Sequence, residues 1–242
     1  ITIPSGYAGA TGNASVTIRN AGTASTGVGF SVGFLKDGTS ANCSTTFSSE
    51  VSTSALGTGA TRTLNFPFTY STTAGSHTGV AMVDSNCQVG ESNESDNTRT
   101  DAYTVTANNL TINVYQDLNG NGADDGGTET GYSGANIIVT GTNIGSATSS
   151  NCTRQSSSSL SCTTNASGQI AISTILPGST TANLTVPTGF TSTTTDPVIT
   201  TFPPSQTINF GIQPAAPTCS GGLTASPVTV NPGQTSTLRA NG

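Results

Sequence analysis

The chain has 242 residues, of which only 7% are charged, and a formal net charge of −6 with no tryptophan. Its few basic residues are scattered and form no patch that could neutralise phosphates, which argues against nucleic acid as a partner. No apolar run approaches the roughly 18 residues needed to span a bilayer. About a third of the residues are Ser or Thr, yet the low net charge and the supply of Thr, Val and Ile favour pleated strands over disorder.

Apolar residues alternate with polar ones along the chain, and Gly, Asn and Ser turns separate the runs. Val16 with Ile18, then Phe30, Val32 and Phe34, begin the pattern. Leu64, Phe66, Phe68 and Tyr70 continue it, followed by Val80 with Met82 and Tyr103 with Val105. A second segment restarts at Leu110, Ile112 and Val114 and closes with Ile208, Phe210 and Ile212. No helical stripe at i, i+3, i+4, i+7 persists for ten residues, so the fold class reads as all-β, with sandwiches in tandem. The expected domains are residues 1–106, 107–213 and 214–242. The last opens with a linker, Gln213-Pro214-Ala215-Ala216-Pro217, that proline should hold extended. Beyond it lie Cys219, Val228, Val230, a Pro232-Gly233 turn and Leu238. These amount to two strands, too few to bury a core alone. With Ile1 in first place and no signal-peptide pattern, the sequence reads as processed or cut from a longer chain.

Five cysteines occur, with no CxxC pair and a single histidine, so no zinc constellation is present. Pairing within segments gives Cys43–Cys87 and Cys152–Cys162, which implies an oxidising compartment; buried free thiols are the alternative. Cys219 would pair outside the sequence. The tract Ser156-Ser157-Ser158-Ser159 reads as a flexible loop tip pinned by the second disulfide.

The run Val16-Thr17-Ile18-Arg19-Asn20-Ala21-Gly22-Thr23-Ala24 and the hairpin Glu91-Ser92-Asn93-Glu94-Ser95-Asp96-Asn97-Thr98 make residues 1–106 resemble the CARDB domain, an immunoglobulin-like sandwich of bacterial and archaeal surface proteins. Most of that family's leading strand is missing before Ile1. Val114-Tyr115-Gln116-Asp117-Leu118-Asn119-Gly120-Asn121-Gly122, with Gly134-Ala135-Asn136-Ile137, makes residues 107–213 resemble the B-type repeats of Gram-positive adhesins, which are transthyretin-like sandwiches. Residues 218–242 resemble the first strands of a further bacterial immunoglobulin-like repeat. Such domains serve as stalks, spacers or adhesive modules, and the resemblance implies no reaction.

Asp117, Asn119 and Asn121 alternate ahead of Gly122, the spacing at which a calcium loop places oxygens. The expected ligand set is Asp117, Asn119, Asn121, the Ala123 carbonyl, Asp125 and Glu129, with calcium as the ion the resemblance implies. Glu129 falls one residue later than the usual closing acid. The plainer reading is an Asn-Gly turn rich in acids. Asp84, Glu91, Glu94, Asp96 and Asp101 could form a second cation site, although Glu94 and Asn97 more simply fix a hairpin. His77 is expected on a strand. It lacks an identifiable nucleophile, no G-x-S-x-G elbow is present, and no catalytic residue is assigned. Lys36 is the only lysine, so the second segment cannot form a lysine-based isopeptide crosslink.

The sequence therefore points to a secreted or cell-surface, non-enzymatic protein of serial sandwiches acting as a stalk, adhesin or fibre. Its expected partners are neighbouring domains or subunits, or a host or cell-surface ligand. Two other readings remain: a filament subunit assembled by strand exchange, because strands around Ile1-Thr2-Ile3 and Val228-Thr229-Val230 carry no charge, and spacer modules of a large secreted hydrolase.

Overall fold

The computed structural model describes residues 1–216 and the backbone of two later strands. The first seven strands are β1 (Gly6–Tyr7), β2 (Thr11–Arg19), β3 (Phe30–Leu35), β4 (Ser49–Thr53), β5 (Thr61–Thr69), β6 (Gly75–Val83) and β7 (Thr98–Thr106). They form a five-stranded sheet, ordered β1-β7-β6-β3-β4, that faces the β2-β5 pair. Val16, Ile18, Phe30, Val32, Phe34, Phe66, Phe68, Tyr70, Tyr103 and Val105 are buried between them. Edge-to-face and tilted aromatic contacts join Phe34, Phe68 and Tyr70, with ring centroids 5.3 and 4.7 Å apart.

Along β3 the alternate positions Ser31 and Gly33 are buried too, which simple alternation does not anticipate. The Phe47 ring lies flat on Gly33, where any Cβ would overlap it. The loop carrying Phe47 thus covers the outer face of this sheet, and Cys43 on that loop is bonded to Cys87, with Cα atoms 5.8 Å apart.

The next nine strands are β8 (Leu110–Gln116), β9 (Asn136–Thr140), β10 (Cys152–Ser156), β11 (Ser159–Thr163), β12 (Gln169–Ile172), β13 (Gly178–Thr185), β14 (Phe190–Ser192), β15 (Val198–Phe202) and β16 (Gln206–Pro214). They make two facing sheets, β10-β11-β9-β13-β15 and β12-β8-β16-β14. Leu110, Ile112 and Val114 of β8 run parallel to Ile208 and Phe210 of β16 at the centre of the second sheet. These residues share a separate core with Ile137, Val139, Ile170 and Ile172. Both sandwiches are all-β, and burial of each alternating face supplies the main driving force for its fold.

Two expectations are corrected here. Gln213 and Pro214 are not linker, because β16 continues through them, opposite Thr191 and Phe190 of β14. A proline is tolerated at such a strand end, where its missing N–H costs no ladder bond. The serine tract is also not loop throughout. Ser156 and Ser159 are paired strand residues, joined by a two-residue turn at Ser157-Ser158. Cys152 and Cys162 sit directly opposite one another and are bonded, with Cα atoms 4.0 Å apart.

Farther on, β17 (Leu223–Ser226) pairs antiparallel with β18 (Thr237–Ala240). Leu238 falls within β18; Cys219, Val228, Val230 and Pro232-Gly233 lie outside the described residues. Among the described residues no helix is long and apolar enough to cross a membrane, which says nothing of a β-barrel.

Candidate metal-binding loop

Asp117 leaves the end of β8 with its N–H donating to the Ile212 carbonyl of β16 at 2.9 Å. The core strand pair therefore fixes where the loop begins. The Asp117 carboxylate is fully buried. Its oxygens accept the N–H groups of Gly120 at 2.7 Å and Gly122 at 2.8 Å, winding the chain back around the carboxylate. Gly120 and Gly122 have φ of 72° and 77°, a left-handed conformation that glycine adopts without a Cβ penalty. The buried Thr193 hydroxyl, which has no hydrogen-bond partner among the described residues, lies beside Asp117 and is the largest influence holding its carboxyl below the usual carboxylate range. The Gly122, Gly120 and Asn121 amides act in the same direction, against the opposing effect of desolvation.

The remaining side chains brace the loop. The Asn119 side-chain oxygen accepts the Asn121 N–H, and that of Asn121 accepts the Ala123 N–H. Both amide nitrogens donate to one oxygen of Asp125, at 2.9 and 2.8 Å. Glu129 closes the ring, taking the Leu118 N–H on one oxygen and the Asp125 N–H on the other. The structure thus brings Asp117, Asn119, Asn121, Asp125 and Glu129 into one hydrogen-bonded loop, and its recorded contact at Ala123 is through the N–H. Among the described residues no three His, Cys, Asp or Glu side chains converge as a preformed metal cage. The donor set fits a hard cation in its chemistry: Asp117, Asp124, Asp125 and Glu129 lie within one loop that contains no Lys or Arg.

Beneath the loop, the buried Tyr115 hydroxyl has no hydrogen-bond partner among the described residues. Burial raises its pKa, and the negative charges of Asp117, Asp124, Glu129 and Asp125 push it further in the same direction. A Cβ on Gly211 would overlap the Thr193 hydroxyl and come within 2.9 Å of the Tyr115 hydroxyl. Position 211 must therefore be glycine for β16 to pass so close to the loop. Sequence reasoning missed Thr193 as a neighbour of Asp117. It is one Thr in a Thr-rich stretch, and no local signal marks it.

In the first sandwich the acidic residues are dispersed. Asp84 is buried and accepts the Gln88 and Val89 N–H groups. Glu94 accepts the Glu91 N–H and the Asn97 side-chain amide, the turn-fixing role. Asp101 accepts the Ile3 N–H, tying the start of the chain to β7. His77 lies on β6, with Nδ1 2.7 Å from Asp37 Oδ1 and Nε2 2.9 Å from the Thr73 carbonyl. Among the described residues no hydroxyl hydrogen-bonds to its ring nitrogens.

None of the curated proteins is significantly similar to this chain. Among solved structures, the chain is similar to the CARDB domain of a Pyrococcus furiosus protein solved in complex with di-metal ions, at 22% identity and TM-score 0.35, covering 43% of this chain and 83% of that one. It is also similar to the pilus 2b backbone protein of group B streptococcus, at 12% identity and TM-score 0.40, covering 88% and 97%. A third is BcpA, the major pilin subunit of Bacillus cereus, at 12% identity and TM-score 0.36, covering 87% and 66%. Over residues 1–101, the larger part of the first sandwich, the chain matches the family model of the CARDB domain.

Proposed function

We propose that the chain is an extracellular structural protein whose β-sandwiches stand in series as a stalk or adhesive module and carry out no catalysis. The observation that carries this reading is the pair of separate cores, each in a sandwich with its own disulfide. Disulfides persist in oxidising compartments. The division into residues 1–106, 107–213 and 214–242 belongs to the same proposal. Protease shaving of intact source cells should release peptides from both sandwiches. Recovery of those peptides only after lysis would overturn it.

Within that reading, the loop at Asp117 holds calcium. Asp117, Asn119, Asn121, the Ala123 carbonyl, Asp125 and Glu129 would supply its oxygens. Bound calcium would neutralise the loop's uncompensated negative charge and brace it against β16. Asn119 and Asn121 would turn their Oδ1 atoms from the Asn121 and Ala123 N–H groups to the ion, and Asp125 would exchange the two asparagine N–H donors for it.

A second reading, assembly by strand addition, is favoured by the edge of β2 beyond Ser15, which has no strand partner among the described residues. Thr2 and Ser15 exchange both backbone hydrogen bonds on that edge, at 2.8 and 3.0 Å. By the antiparallel alternation, Thr17 and Arg19 then turn their N–H and C=O groups the same way, away from β5. Beside them runs a cleft of about 560 Å³, lined in part by Ile1, Ile18, Val83, Val89 and Arg99. An added strand antiparallel to β2 would satisfy those groups and fill the cleft. Electron microscopy of natively secreted material distinguishes the two readings: regular fibres support strand addition, and a monodisperse monomer at high concentration sinks it.

A further inference from the structure

We infer that the two sandwiches are clamped at their junction into one rigid body, with Asn108 as the clamping residue. This inference does not rest on the surface reading. β7 ends at Thr106 and β8 begins at Leu110, so the connection is residues 107–109, and each of the three is tied down. The Ala107 carbonyl accepts the Ser205 hydroxyl at 3.4 Å. The Asn109 N–H donates to the Ser205 hydroxyl at 3.0 Å, and its carbonyl accepts the Gln206 N–H at 2.9 Å. Between them, the Asn108 carbonyl accepts the Ile175 N–H at 3.0 Å.

The Asn108 side chain spans the joint. It is fully buried, and its Nδ2 donates to the Ile175 carbonyl in the second sandwich at 3.0 Å. The same nitrogen reaches the Ala8 carbonyl in the first at 3.4 Å. Ala8 is also buried, and its N–H is held by the Thr106 carbonyl at 2.9 Å. Beside it the chain turns at Gly9, with φ of 72°. A Cβ at Gly9 would lie 3.1 Å from both Leu176 Cδ2 and Pro177 Cδ, so the two sandwiches touch there without a side chain between them. An amide with two N–H groups facing two carbonyls from different sandwiches couples their positions. A swing of either sandwich would leave a buried carbonyl unpaired, a cost that resists bending. The short connection leaves no slack to absorb such a swing.

Residual dipolar couplings and ¹⁵N relaxation on the full chain test this. One alignment tensor should fit the amides of residues 1–106 and 110–212 together, with one rotational correlation time for both. Asn108→Asp keeps the size of the side chain but removes the donor and sets a carboxylate against two carbonyls. It should split the tensors while both sandwiches keep their own amide spectra. Gly9→Ala should shift the relative tensor orientation through the Leu176 and Pro177 contact. Separate tensors or correlation times in the unsubstituted chain would overturn the inference, whatever the variants do. A single shared tensor retained in Asn108→Asp would remove Asn108 from its role.

Discussion

Cys152 and Cys162 are direct partners across the β10–β11 hairpin, bonded at a Cα separation of 4.0 Å. Cys43 and Cys87 instead join the covering loop to the turn that follows β6, 44 residues apart in sequence. Closing a longer loop removes more entropy from the unfolded chain. Reducing Cys43–Cys87 should therefore cost about 4 kcal/mol and reducing Cys152–Cys162 about 3 kcal/mol. Urea titration of the Cys43→Ala/Cys87→Ala and Cys152→Ala/Cys162→Ala chains measures both. An equal cost for the two would count against the chain-entropy account, and free thiols at all four positions in non-reducing peptide maps would remove the pairing.

Calorimetry of the full chain should show calcium raising the melting temperature of the second sandwich while leaving the first nearly unchanged. A ligand that binds only the native state stabilises it by about 2.7 kcal/mol at one hundred times its dissociation constant. Asp117→Ala should abolish the response. A second-sandwich transition that ignores millimolar calcium would leave the loop as a hydrogen-bonded turn.

Asp117 also sets an acid limit. Its folded pKa lies below its unfolded value, so its contribution to stability is fully present above about pH 4 and is lost as pH falls through the lower folded value. The second sandwich should lose stability on acidification in that window. In Asp117→Asn that dependence should flatten, at the cost of a lower plateau near neutrality. Fluorescence-monitored unfolding between pH 2 and about 5 checks this; an unchanged slope in the variant would remove Asp117 as the cause.

Tyr103 donates to Asp37 Oδ1 at 2.8 Å, the same oxygen that faces His77, and stacks on the His77 ring at 5.5 Å. Burial first, then the hydrogen bond and charge of Asp37, raise the phenol's pKa far above its usual value. Its contribution to stability is therefore present below about pH 10 and is lost as pH rises towards the folded value. Tyr103→Phe should cost the first sandwich about 1 kcal/mol at neutral pH, the net worth of one hydrogen bond, and should weaken its alkaline loss. Equal stability of the variant and parent at pH 7 would show that the bond to Asp37 contributes nothing.

The strands that could be read in the sequence are those whose own residues alternate. Phe30, Val32 and Phe34 announce β3, and Leu64 to Tyr70 announce β5, because a pleat sends every second side chain inward. β4, with Ser49-Glu50-Val51-Ser52-Thr53, and β10, with Cys152-Thr153-Arg154-Gln155-Ser156, have no such face. Backbone pairing with β3 and β11 makes them strands, and that partner cannot be seen locally.

Composition and periodicity by themselves determined an all-β chain with repeated alternating faces, and local motif spacing gathered Asp117, Asn119, Asn121, Asp125 and Glu129 into one loop. Tertiary structure decided what surrounds them. It brings Thr193 and Gly211 to Asp117, turns the acids of the first sandwich to separate backbone partners, and buries Asn108 between Ala8 and Ile175. Each of these depends on which strands become neighbours, through burial and ladder hydrogen bonds formed between residues distant in sequence. Local propensity carries no record of that choice.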